Sequence, residues 1–133
     1  MADTVDTITM ADGLRNHIVR LTNVSDGTGE SDVKKVDIST LTGPDGVAGT
    51  APDSFAIEYV SWAIQGFSSV RIEFDATTDD EGLVLTGVGE RVFDPPLADP
   101  KSTGYTGDIF LTTAGAVNGA TYDIVLHLKK KQA

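Results

Sequence analysis

Cysteine is absent from this chain. Disulfides, thiolate metal sites and cysteine nucleophiles are therefore excluded together, while the redox compartment stays open. Long hydrophobic runs are also missing: no apolar stretch approaches the ~20 residues a helix needs to span a bilayer. The amino terminus, MADTVDTITMADGLRN, has neither a basic start nor an apolar segment. It is not expected to be a secretory signal, and a soluble protein with no membrane partner is expected. Cations are scarce. Ten Lys and Arg face 20 Asp and Glu, giving a net charge of −10 and a pI near 4.3. That balance argues against a nucleic-acid partner, which needs clustered basic side chains to displace phosphate counterions. The only basic run is Lys129, Lys130 and Lys131, with Lys34 and Lys35 as a minor pair. The terminal run reads as a solvated, frayed tail or as a contact with an acidic neighbour.

What is present is a pattern of period two. At 133 residues the chain fits one domain with room for a substantial core. Short runs rich in Val, Ile, Thr and Phe alternate with polar residues, and Gly, Asp, Asn and Pro clusters interrupt them. That is the signature of an all-β fold, a seven- to eight-stranded antiparallel sandwich. Strands are expected over 16–24 (Val19 and Leu21 on one face) and 33–40 (Val36 and Ile38 inward, Lys35 outward). Further strands are expected over 54–65, 70–75, 83–93, 108–113 and 121–130, the last with Tyr122, Ile124, Leu126 and Leu128 inward. No convincing helix is expected. Within 54–65, Phe55, Ile57 and Tyr59 favour one face but Val60, Trp62 and Ile64 the other, so a bulge near Tyr59 or burial of both faces is required. Gly87 and Gly89 mark a bulge or a close backbone approach. Asp94-Pro95-Pro96 reads as a strand end, and Asn118-Gly119 as a hairpin turn. Two long loops suit jelly-roll crossovers better than a meander.

Residues 1–14 lack a sustained period and read as an extended N-terminal arm, with residues 15–133 forming the sandwich domain. The arm's apolar members Val5, Ile8, Met10 and Leu14 are too few for a core and too many for a solvated tail. They are the candidate partner-binding residues, on an arm that docks on a neighbour or on a merely disordered terminus.

Candidate chemistry is thin. His17 and His127 lie far apart and read as ordinary strand residues, because a metal site would need further ligands converging on them. Asp26, Glu30 and Asp32 sit among glycines but lack the spacing of an EF-hand, and Asp79-Asp80-Glu81 reads as a solvated hairpin tip. No G-x-S-x-G elbow and no Ser/His/Asp set is discernible. Neither a catalytic residue, a metal nor a cofactor is expected. Phe55, Tyr59 and Trp62 form either a sugar-stacking platform or part of the core.

Several segments are similar to known proteins. The run from Leu21 to Glu30 (LTNVSDGTGE), then Val33 and Lys35-Val36-Asp37-Ile38-Ser39-Thr40-Leu41, resembles the opening of small virion proteins of tailed bacteriophages. The similarity continues through Phe67-Ser68-Ser69-Val70-Arg71, Thr78-Asp79-Asp80, the run TGDIFLTT from Thr106 to Thr113, and Thr121-Tyr122-Asp123-Ile124. It spans nearly everything after residue 14. It implies a jelly-roll-like capsid decoration (cement) protein on the outer capsid surface of a virion, with the major capsid protein as partner and a homotrimer as its assembly. A head–tail connector or tail component would share these features. An acidic chain is repelled by packaged DNA, which fits an outer location. The principal rival reading is a carbohydrate-binding or host-adhesion module. An enzyme would need a pocket with perturbed carboxylates.

Overall fold

The computed structural model describes residues 4–47 and 50–132. Among the described residues nine strands run in chain order: β1 (Thr4–Asp12), β2 (Asn16–Asp26), β3 (Val33–Val36), β4 (Ser54–Gln65), β5 (Ser69–Phe74), β6 (Asp80–Leu85), β7 (Val88–Ala98), β8 (Ile109–Ala114) and β9 (Asn118–Lys131). They build a five-stranded sheet, β1-β2-β9-β4-β7, and a four-stranded sheet, β3-β8-β5-β6. Every neighbouring pair is antiparallel. The chain crosses between the sheets after β2, β3, β4, β6, β7 and β8, so the fold is the jelly-roll-like sandwich expected from the period-two pattern. Among the described residues the only helical piece is a 3₁₀ turn, Ile38–Thr40, capped by the Asp37 carboxylate.

Alternation decides what enters the space between the sheets. Val19 and Leu21 of β2 and Tyr122, Ile124, Leu126 and Leu128 of β9 are buried on the inner face of the large sheet. They meet Val70, Ile72 and Phe74 of β5 and Ile109 and Leu111 of β8. Burial of a side chain of this size contributes about 1.5–3 kcal/mol, so this seam is the main source of cohesion. In β4 the register slips between Ile57 and Tyr59 against both neighbours. The extra residue returns Val60 and Ile64 to the face that already holds Phe55 and Ile57, and all four are buried. The conflict of faces in the sequence is thus resolved by a bulge.

Six expectations are corrected. The arm is extended as expected, but β1 is hydrogen-bonded along β2 as an edge strand of the large sheet. The expected strand over 83–93 is two strands in opposite sheets, separated at Thr86-Gly87, where Gly87 takes φ 63°. Asp94-Pro95-Pro96 ends nothing: β7 runs through it to Ala98, and an edge strand tolerates prolines that a central one would not. Asn118-Gly119 is no hairpin turn, because β8 and β9 belong to different sheets.

The last two corrections concern lysines. Lys35 is the extra residue of a bulge between Lys34 and Val36, which rotates its side chain from the expected outward position into the interior. Lys130 is no frayed tail either. It lies on the inward face of β9, 3% exposed, and donates to Gly13 O (2.6 Å), Thr42 O (3.0 Å) and Asp12 Oδ1 (2.7 Å).

Candidate binding surface

The four apolar arm residues all reach solvent. Val5, Ile8, Met10 and Leu14 are 36%, 43%, 57% and 51% exposed, and every residue of β1 is exposed. They do not make one patch. Val5 pairs with Asn23 and Ile8 with Arg20, so the two point to opposite faces of the strand. Met10 lies in a bulge between Thr9 and Ala11, and Leu14 lies in the β1–β2 connection. β1 contributes no side chain to the core and holds its place by backbone pairing with β2. Its closing end is fastened by Asp12, whose carboxylate contacts both Lys130 and the Nδ1 of His17 (3.1 Å). Partial burial pushes the Asp12 carboxyl up, but those two partners outweigh it and hold the group below its ordinary range.

The outer face of the large sheet carries an open groove of about 650 Å³. Its floor comes from Ser61 and Ala63 of β4 with Asp123 and Val125 of β9. Met10 and Arg20 form one side, and Val88 and Glu90 of β7 the other. Arg20 Nε and Nη2 donate to Asp123 Oδ1 and Oδ2 at 3.0 and 2.7 Å, a two-pronged pair that fixes both side chains. The guanidinium holds the Asp123 carboxyl below its usual value, and Asp123 raises Arg20 in return. Tyr59 donates its hydroxyl to Glu90 and packs edge-on against His127 with centroids 4.9 Å apart. The Glu90 bond, and then burial, pushes the phenol pKa up.

Trp62 borders this groove but is half buried against the core, with Nε1 donating to Thr86 O at 2.8 Å. A Cβ at Gly89 would stand 2.8 Å from its ring, which is the close approach expected at that glycine. Phe55 is wholly buried on the inner face. The three aromatics therefore form no common platform: Phe55 is core, Tyr59 faces outward and Trp62 is wedged at the margin.

The histidines also stay apart. His17 is buried and stacks on Phe55 at 6.3 Å, whereas His127 is on the outer face. The acidic loop splits likewise. Asp26 accepts from the Thr28 amide and hydroxyl, and Glu30 turns inward. Asp32 instead joins Glu73 and Asp79, with one oxygen of each within 4.8 Å of the others. Burial and the neighbouring Asp32 carboxyl push the Asp79 pKa up. Sequence reasoning named Asp32 and Asp79 separately but had no signal that β5 and a distant loop would bring them together.

A second assembly was also hidden. The Glu30 side chain, 6% exposed, accepts from Lys35 Nζ (2.5 Å), Asn23 Nδ2 (2.8 Å) and the Tyr122 hydroxyl (2.5 Å). Its backbone is pinned to β8, its amide donating to Thr113 Oγ1 at 2.8 Å and its carbonyl accepting from the Thr113 amide at 2.9 Å.

No family model matches the chain, and no curated protein does. Among solved structures it is similar to a carbohydrate binding module of family 29, with TM-score 0.45 and 9% identity over 99% of this chain and 91% of that one. A point mutant of a family 29 module gives TM-score 0.43 and 9% identity, covering 98% of this chain and 93% of that one.

Proposed function

We propose that this chain is a non-enzymatic structural protein that attaches to an assembled protein lattice, with β1 as its principal attachment element. The observation that supports this reading is β1 itself: nine residues, all exposed, paired on one edge only and contributing nothing to the core. Ordering such a strand costs roughly 1–2 kcal/mol per residue in backbone entropy. A free edge with exposed Val5, Ile8 and Met10 is suited to recover that cost by adding to a neighbour's sheet. β1 carries neither Lys nor Pro, residues that commonly keep edge strands from pairing. With the resemblance to phage virion proteins, the lattice is the outer surface of a capsid, the partner is the major capsid protein, and the decorating unit is a homotrimer.

The test is a truncation beginning at Ala11, which removes most of β1 but keeps the Asp12 and Gly13 contacts to Lys130. It should fold and melt close to the intact chain, yet bind decoration-free capsids about tenfold more weakly or worse, a loss of roughly 1.4 kcal/mol. Equal occupancy by both forms would remove β1 from the attachment.

The outer groove favours a second reading, a carbohydrate-binding module. It is open, has the fixed Arg20–Asp123 pair and Glu90 as polar groups, and has an indole at its margin. A glycan bound there should shift Trp62 fluorescence, and Ala63→Arg should abolish the shift. No response across a panel of soluble oligosaccharides would leave the groove to the lattice reading.

A further inference from the structure

We infer that Lys35 and Asn23 form an intramolecular amide cross-link, made by the protein itself with Glu30 as the proton carrier. Three observations converge on this site. The Lys35 side chain is 3% exposed and that of Glu30 6%, and Asn23 is 1% exposed. One carboxylate holds both reactants side by side, Lys35 Nζ on Oε2 at 2.5 Å and Asn23 Nδ2 on Oε1 at 2.8 Å. The Tyr122 hydroxyl donates to Oε1 as well. The partners also come from opposite layers, Asn23 from β2 in the large sheet and Lys35 from β3 in the small one.

The chemistry follows from that placement. The Lys35–Glu30 hydrogen bond is the path along which one proton passes from Nζ to Oε2, leaving an amine and a carboxylic acid. The freed amine is a nucleophile held on the same carboxylate as the Asn23 carboxamide, in a pocket where water is a poor competitor. Attack of Nζ on Asn23 Cγ forms the new C–N bond. Glu30 passes its proton to Nδ2, the Cγ–Nδ2 bond breaks, and nitrogen departs as ammonia. The surplus proton on Nζ is taken up by Glu30 and leaves with the ammonia as ammonium. The net change is Lys-NH₃⁺ plus Asn-CONH₂ giving an amide plus NH₄⁺. No oxidant, metal or cofactor enters. Holding the two groups on one carboxylate supplies the high effective concentration that aminolysis of an amide requires.

The backbone supports the arrangement. Glu30 is fixed at both its amide and its carbonyl by Thr113, and the bulge at Lys35 is what turns its amine inward. A link there would close the loop between β2 and β3 and tie the two sheets covalently in a chain that has no cysteine to do so.

The experiment is intact-mass measurement of the full chain, denatured after incubation of the folded protein at neutral pH. The expected mass is one ammonia below that of the sequence, with proteolysis yielding a branched peptide that contains both Asn23 and Lys35. Glu30→Gln and Lys35→Arg should each restore the full mass while circular dichroism reports a folded sandwich. A wild-type chain at full mass, with Asn23 and Lys35 in separate peptides, would overturn the inference even if a variant failed to fold. So would an ammonia loss that survives Lys35→Arg or maps to a cyclised Asn118-Gly119.

Discussion

Asp12 shows how one exposed carboxylate can organise buried charge. Lys130 is almost completely enclosed, with Gly13 O and Thr42 O as its other partners, so Asp12 supplies its only anionic contact among the described residues. The depressed Asp12 pKa gives the sign of a pH effect. A carboxyl whose folded pKa lies below its unfolded value, about 3.9, stabilises the fold fully above that value. The contribution is lost as pH falls through the folded pKa. Asp12→Asn should therefore cost about 1–2 kcal/mol near neutrality, chiefly by leaving the ammonium without its counter-charge. The figure is kept small because the carboxylate is 39% exposed and solvent screens it. Thermal melts of both forms should differ at pH 7 and converge at strongly acid pH. A gap unchanged across that range would mean the ion pair contributes nothing. Neither Lys130 nor Lys35 could be placed from composition, since a lysine at an alternating position is by default outward. Lys130 keeps the inward alternation of β9, and Lys35 enters through a bulge that leaves no local sequence signal.

At the level of elements, period-two alternation carried most of the fold. The bounds of β4 were legible to the residue, and so was the need for a bulge within it, because two apolar triplets of opposite parity cannot otherwise share a core. The split of β6 from β7 was not legible: Thr86-Gly87 is a short break inside a run with strand-like residues on both sides, and only the sheet assignment separates them. Gly89 was legible as a close approach, and the contact is the Trp62 ring. Gly89→Ala should push the indole off its position, lengthen the Nε1 bond to Thr86 O and destabilise by about 1–3 kcal/mol. The checks are chemical denaturation and the Trp62 emission maximum, which should shift red as the ring becomes wetter. An unchanged spectrum with unchanged stability would show that the ring moves aside freely. The groove was the least legible feature, since its Arg20–Asp123 pair is separated by 103 positions and depends on the β2–β9 register.

For the whole molecule, charge and edge structure act in opposite senses. A net charge of −10 makes identical copies repel, whereas the open β1 edge invites pairing with another chain. Self-association through β1 would rest on backbone hydrogen bonds and on Val5, Ile8 and Met10, terms that salt does not screen. The repulsion between copies is screened: the Debye length falls from about 30 Å at 0.01 M to about 3 Å at 1 M salt. Self-association should therefore strengthen as salt rises, the reverse of what an interface made of ion pairs would do. Sedimentation equilibrium of the intact chain at low and high salt reads this directly, with Ile8→Lys as the control. That substitution lowers the net charge and so weakens repulsion, yet places a solvated cation on the pairing edge. If β1 is the contact, Ile8→Lys should lower association at every salt concentration. If association instead rises with the added positive charge, repulsion alone governs the assembly and β1 is not its seam.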